Sequence, residues 1–461
     1  MEIQAICHAC ILVQHDGTTV LIDPWITGLV FLGGWGLEPP PIPAVIDSLP
    51  EIQHIYLTHE HPDHTHVASL KLLFSKCAKD ATVHIPRFMT DRFVRHLCGV
   101  FPDRNILEMR HGREYRIGGF RAWSYQYRND DSALVLEDRQ GDCLANLNDT
   151  FIKGLPLSEI HRLHPRIKTI MSQFSVSNAY PYGYADYEKS PESFPWSADD
   201  LKSYCVSMLG LLKPERWVPY HSFVSFCRDE NGYLNRYRIS LDQIADYVGA
   251  HGFNVVKLYP GDRLSEERIP YPGGEDHFRT IRDARIQTSE GDATGLHEAA
   301  ATFEKSFCRS VSWPIRRALR PLGFVVSEDG SRLLFHPSSS RFQFGDTTLQ
   351  TLNSEYSWTT TNRQTLTQAL KLPWGMGNLL ISGRMRTEIP ERFRSVDFRF
   401  WAVALIRNTG YFRLSSLWFL RIRALDTAFR RRIEAADIIQ RSFRAGGFLA
   451  GNIEPRRQSD S

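Results

Sequence analysis

The chain has 461 residues, 42% hydrophobic and 23% charged, with a formal charge of +3. The length exceeds one ordinary core and predicts two domains, and the small charge excludes nucleic acid binding through bulk positive charge. Eight scattered cysteines form neither a disulfide framework nor a closely spaced four-ligand site. Cys7-x-x-Cys10 has redox spacing but lies in an apolar segment rather than at a helix start. No uncharged apolar run reaches the about 18 residues of a membrane span, and the first residues do not read as a signal peptide, so a reduced cytoplasmic location is the expectation.

In chain order, residues 9–14 and 18–22 flank His15-Asp16-Gly17, a hairpin signal. Residues 52–57 are an apolar strand, 68–76 a helix, 82–85 a strand and 91–98 a helix. Strands are expected at 121–127, 132–136, 142–147, 167–171 and 217–219, with an amphipathic helix at 201–212. Hairpin strands followed by strands mixed with helices fit an α/β architecture (an α+β sandwich), two sheets covered by helices. Turn chemistry at Tyr259-Pro260-Gly261-Asp262 closes a first domain over 1–265, and the polar, Gly/Pro-rich stretch 266–296 reads as a linker. A second, α+β and helical domain is expected over 297–461, with strands at 323–327 and 332–336 and a helix at 362–372. Within it, 398–438 alternates aromatic and arginine-rich segments, read as basic amphipathic helices that either close the domain with a solvated basic face or meet a partner or membrane surface. Capping a pocket, forming a homodimer and binding a carrier are the candidate roles of this domain.

The chemistry concentrates in Thr58-His59-Glu60-His61-Pro62-Asp63-His64, directly after the 52–57 strand. A strand end followed by a tight turn brings three imidazoles and a carboxylate into one small volume, which is costly unless a cation organises them. The order His-x-His-x-Asp-His resembles the signature of the metallo-β-lactamase superfamily, which implies an αββα fold with a two-metal site. Later strand ends must supply the remaining ligands, because one segment does not surround two ions. Asp149, after the 142–147 strand, is the candidate bridging carboxylate, and His221, after the 216–220 segment, the candidate late histidine. Asp23 reads as a hydrogen-bonding support of the metal loop.

The superfamily resemblance also implies a third histidine for the first metal, between the loop and Asp149. This chain reads Tyr127-Arg128-Asn129-Asp130-Asp131-Ser132 there, so Asp131, or else Asp130, takes that place. A carboxylate in place of an imidazole makes the set harder and more anionic and favours iron over zinc.

The run Asp23-Pro24-Trp25-Ile26-Thr27-Gly28, continuing to Gly33-Gly34-Trp35 and Pro39-Pro40-Pro41, resembles the catalytic domain of the CMP-N-acetylneuraminate hydroxylases. Cys7-His8-Ala9-Cys10, Leu147-Asn148-Asp149 and Pro260-Gly261-Asp262 are similar too, so the likeness covers about residues 1–265. That family carries a Rieske domain, whose Cys-x-His and Cys-x-x-His pattern this sequence lacks.

The resemblance therefore implies a di-iron monooxygenase with dioxygen as co-substrate. It would act on a polar or carrier-linked metabolite with electrons from a separate ferredoxin, Rieske protein or reductase. His59, His61 and Asp131 would hold one iron and Asp63, His64 and His221 the other, with Asp149 bridging. Asp63 and Asp149 would also serve catalysis. Tyr180, Tyr182 and Tyr184 line the pocket or else are surface aromatics. The second hypothesis is a di-zinc hydrolase on the same ligands, in which Asp63 orients a metal-bound hydroxide; the third is a binding protein with a degenerate site.

Overall fold

The computed structural model describes residues 1–127, 131–184, 187, 197–280, 295–345 and 356–388. Two sheets face one another. The first runs Arg268–Ile269, Arg263–Leu264, Glu2–Cys7, Cys10–His15, Thr18–Ile22, His54–Tyr56, Thr82–Pro86, Ile106–Met109. It is antiparallel up to the Cys10–His15/Thr18–Ile22 pair and parallel beyond it. The second runs Arg216–Pro219, Ile167–Ser172, Cys143–Asn148, Asp131–Glu137, Phe120–Tyr127, Glu114–Ile117, with its first three strands parallel.

Side-chain alternation explains the layering. Ile3, Val13, Val20 and Ile22 face the second sheet and pack with Leu134, Ala145, Ile170 and Val218. Ile6, Leu12, Leu21 and Ile55 face the other way, onto Leu70 and Leu73 of helix Val67–Lys76 and Phe93 and Leu97 of helix Arg92–Val100. Helices Leu155–Leu163, Ala198–Leu212 and Leu241–Ala250 add Leu157, Leu201 and Ile244 to the core of the second sheet. This is the αββα sandwich.

Beyond it, a five-stranded sheet runs Arg341–Phe344, Arg332–His336, Leu322–Val326, Trp358–Thr361, Arg386–Glu388. Helices Leu296–Ser310, Arg363–Lys371 and Gly375–Ser382 pack with it, and Phe303, Phe307, Phe324, Phe335, Leu366 and Leu379 form a separate core. The basic segments at 398–438 lie outside the described residues.

Two features were not read from the sequence. Trp35–Leu37 pairs with Val224–Phe226, tying the glycine–tryptophan run to the segment after His221. The 266–296 stretch opens with the strand Arg268–Ile269 and the helix Gly274–Thr280. The reason is Asp262, fully buried, whose carboxylate accepts from Tyr259 N (2.9 Å), Arg268 Nε (2.7 Å) and Tyr271 N (2.8 Å). Residues 281–294 are outside the described set.

Replacing Asp262 with Ala leaves these donors without their acceptor and should cost about 2–4 kcal/mol of stability. Urea unfolding of the metal-loaded protein measures it; a loss under about 0.5 kcal/mol would contradict the bracing role.

Candidate metal centre

The centre sits where strands of both sheets end. Thr18–Ile22 is followed by Asp23, His54–Tyr56 by Thr58 and the histidine loop, Cys143–Asn148 by Asp149, and Arg216–Pro219 by His221. Asp23 is the organiser. It is fully buried, accepts from Thr58 N (2.8 Å) and Thr58 Oγ1 (2.6 Å), and its Oδ2 lies 2.9 Å from His64 Nδ1. That contact assigns the Nδ1 proton of His64 to the Asp23 carboxylate and turns Nε2 inward. His59 is set similarly. Its Nδ1 lies 3.1 Å from Thr58 Oγ1, which already donates to Asp23 and accepts from Asn148 Nδ2 at 2.7 Å. His59 Nδ1 therefore donates, and Nε2 faces the cluster.

Around His59 Nε2 stand His61 Nδ1 at 2.8 Å, Asp149 Oδ2 at 3.7 Å and Asp131 Oδ1 at 4.0 Å. Around His64 Nε2 stand Asp63 Oδ2 at 3.2 Å and Asp149 Oδ2 at 3.6 Å. Asp149 Oδ2 thus lies between the two histidines that head the two groups. Asp131 opens the strand Asp131–Glu137 beside Tyr127, with no histidine between them and Asp149. Asp130 lies outside the described residues. His221, buried and lining the same cavity as Asp63 and His64, has no partner on either ring nitrogen among the described residues.

His8 is a member that sequence reasoning did not single out. It occupies the tight turn between Glu2–Cys7 and Cys10–His15 at φ +37°, and its Nε2 is 3.4 Å from Asp63 Oδ2. Ligand atoms of His8, Asp63 and His64 lie within 4.8 Å of one another, as do those of His59, His64 and Asp149. The backbone of His8 accepts from His221 N at 3.3 Å, and Trp25 packs its ring edge-on at 5.5 Å. The available signal was the histidine inside Cys7-His8-Ala9-Cys10, which the spacing of the cysteines obscured. Of the three tyrosines, Tyr180 lines the cavity; Tyr182 stacks on Tyr237 at 4.2 Å and Tyr184 joins the C-terminal core, so these two are not surface aromatics.

Burial drives His59 and His221 well below the ordinary imidazole value, and lowers His8. Burial alone would also lower His64, but the carboxylates of Asp63, Asp149 and Asp23 raise it well above that value. For Asp63, burial is outweighed by the charge and hydrogen bond of His64, and it is held well below the carboxylate range. Without metal the centre therefore carries an Asp63–His64 ion pair.

The donor set fits two transition-metal ions. His8 Nδ1, Asp63 Oδ1, Asp149 Oδ1 and both nitrogens of His221 are buried without partners among the described residues, each a cost of about 1–3 kcal/mol. Most of these groups point into one volume ringed by imidazole nitrogens and carboxylate oxygens, the ligand types of zinc and non-haem iron.

Residues 18–139 match the family model described as a beta-lactamase superfamily domain. Cytidine monophosphate-N-acetylneuraminic acid hydroxylase of Danio rerio is 34% identical over 80 residues, covering 17% of this chain and 13% of that protein. The Asterias rubens enzyme is 32% identical over 95 residues, 21% of this chain and 14% of its own length. The chain thus spans about a seventh of these curated relatives. Among solved structures, CmlA, a diiron beta-hydroxylase from Streptomyces venezuelae, aligns at TM-score 0.41 and 16% identity over 59% of this chain and 54% of CmlA. An isothiocyanate hydrolase from Delia radicum gut bacteria aligns at 0.43 and 14% over 58% and 99%.

The N-terminal sandwich has the metallo-β-lactamase fold, and its residues 18–139 match the beta-lactamase superfamily model. Within that superfamily it is similar, over part of its length, to the CMP-N-acetylneuraminic acid hydroxylases.

Asp149→Ala should lose at least one metal per chain, and His8→Gln should weaken one metal about 10–100-fold while sparing the other, by analogy with lost outer contacts; plasma emission analysis after dialysis measures both, and unchanged content would contradict the assignment. Loading metal near neutral pH must displace the proton that raised His64 retains, so affinity should rise with pH until His64 is neutral. Calorimetry in buffers of different ionisation enthalpy should show proton release, and none would contradict the ion pair.

Proposed function

We propose that this chain is a non-haem di-iron monooxygenase that hydroxylates a polar or carrier-linked metabolite, drawing electrons from a separate redox protein. The observation that carries the reading is Asp131. It stands 4.0 Å from His59 Nε2 at the position where the superfamily resemblance implies a histidine. With Asp63, Asp149 and Asp131 the set holds three carboxylates, a harder and more anionic environment than an imidazole-rich one.

In this reading His59, His61 and Asp131 would hold one iron and Asp63, His64 and His221 the other, with Asp149, whose Oδ2 lies 3.7 Å from His59 Nε2 and 3.6 Å from His64 Nε2, as the carboxylate they would share. His8 supports Asp63. When bound, the irons supply reductive activation of dioxygen. The overall change is R–H + O2 + 2 e⁻ + 2 H⁺ → R–OH + H2O, with the electrons from a ferredoxin, Rieske protein or reductase.

The chain's own residues supply order and exclusion of water. Asp23 keeps the His64 Nδ1 proton and holds Nε2 toward the centre. Thr58 Oγ1, itself fixed by a donated hydrogen bond from Asn148 Nδ2, does the same for His59. Phe31 stands edge-on to His61 at 6.0 Å, and with Trp35 it gives one side of the cavity an apolar wall. Such a wall limits bulk water beside a reactive site.

A di-zinc hydrolase would use the same ligands, and the His59–His64 order alone favours it. Metal decides between them. Protein expressed without added metal should contain about two irons per chain and develop a visible absorption band in air. Stoichiometric zinc with turnover of esters or phosphodiesters and no need for a reductant would overturn the proposal. Asp131→His should shift the content from iron toward zinc under identical growth, and an unchanged ratio would remove the argument from this position.

A further inference from the structure

The centre opens into a cavity of about 1460 Å³, larger than the 300–1,000 Å³ usual for small-molecule sites. Metal-facing side chains form its floor. Leu29 to Leu32 and Trp35 form one wall. A second wall belongs to the C-terminal module: Gln368 and Leu372 at the end of helix Arg363–Lys371, and Trp374, Asn378 and Ile381 around helix Gly375–Ser382.

This second wall is fastened by buried polar contacts. Asn231 Nδ2 donates both to Gly34 O (2.9 Å) and to Ser382 O (2.8 Å). Arg384, 2% exposed at its side chain, donates to Leu32 O (2.8 Å) and pairs with Glu230 (2.7 Å). Trp374 meets His96 edge-on at 4.7 Å. A Cβ at Gly34 would fall 2.6 Å from Ser382 O, so glycine is required for this backbone-to-backbone approach. Gly383, at φ +70°, ends the helix where a side chain would strike Leu234.

The lining is aromatic and cationic beyond the floor. Its charged groups there are Lys71, Arg92, Arg228 and Arg384 against Glu60 among the described residues. Glu60 pairs with Arg92, and Arg384 with Glu230. Lys71 is exposed and has no carboxylate partner among the described residues. The indole N–H of Trp35, 2% exposed and on the cavity wall, also lacks a partner there.

We propose that the C-terminal module completes the substrate site, and that this site takes an elongated amphipathic anion. Its polar end reaches the metals, its apolar or aromatic body lies between the Phe31–Trp35 segment and Trp374, and its carboxylate or phosphate sits at Lys71. This rests on the metal-centre reading in one respect, that the cavity leads to the metals; it is independent of which metal is bound.

The test uses full-length, metal-loaded protein and two fluorescent probes with the same body, anionic 8-anilinonaphthalene-1-sulfonate and neutral N-phenyl-1-naphthylamine. Wild type should bind the anion at least about tenfold more tightly than the neutral probe. Lys71→Glu should weaken only the anion, by about tenfold, and Trp374→Ala should weaken both. Gln368→Trp, on an exposed helix position, fills the cavity and should block both if Trp374→Ala fails to fold. Displacement by naphthyl phosphate against naphthoate tells phosphate from carboxylate. Metal content should stay at the wild-type value throughout. Probe affinities indifferent to all three substitutions, or equal for both probes, would overturn the site. Zinc in place of iron with the probe pattern intact would overturn only the oxygenase reading.

Discussion

The structure turns on one constraint: several imidazoles and carboxylates are buried together with fewer hydrogen-bond partners than they need. Desolvation pushes His59, His8 and His221 toward the neutral, metal-ready form, while Asp63 and His64 neutralise each other as a pair. A cation resolves this, because it satisfies the lone pairs of several orphan oxygens and imidazole nitrogens at once. The backbone carries the same signature. His8, Asp23, Asn148 and His221 all take positive φ, and all surround the centre. Left-handed backbone at non-glycine residues costs on the order of 1 kcal/mol or more each and persists only where surroundings demand it. Here the demand is to turn side chains inward from strand ends.

Asp23 links the fold to the chemistry. It ends one strand, receives the backbone of the next through Thr58, and orients His64. Its neighbour Trp25 packs on His8, and Cys7 Sγ donates to Trp25 O at 3.2 Å. The Cys-His-Ala-Cys turn and the Asp-Pro-Trp run are therefore two halves of one support. Further along, Gly33 and Gly34 contact Arg228, Asn231 and the C-terminal module. The run from Asp23 to Trp35 thus braces the metal loop at one end and fastens the cavity's second wall at the other.

Much of this was legible in the sequence. The hairpin at residues 9–22 and the strands and helices around the metal loop follow from apolar periodicity, since each element buries one face. His59 to His64, Asp149 and His221 follow strand ends, where the sequence reading looks for ligands, while the ligand role of Asp131, read from the absence of histidine between Tyr127 and Asp149, belongs to the proposal. What was not legible depends on contacts distant in sequence. His8 is 55 residues from Asp63, its partner. The ordered start of the 266–296 stretch depends on Asp262, a buried carboxylate that local composition does not distinguish from an ordinary turn aspartate. The cavity's second wall joins Gly34 to Ser382 through Asn231, and no local pattern encodes that.

The central claim is that two irons share one carboxylate-rich centre. Mössbauer spectroscopy of air-oxidised protein grown on ⁵⁷Fe tests it most directly. A di-iron centre should give a single pair of coupled ferric ions, diamagnetic in its ground state and accounting for nearly all the iron at about two per chain. Isolated high-spin ferric ions, or a protein whose centre takes up zinc and leaves iron substoichiometric, would contradict it.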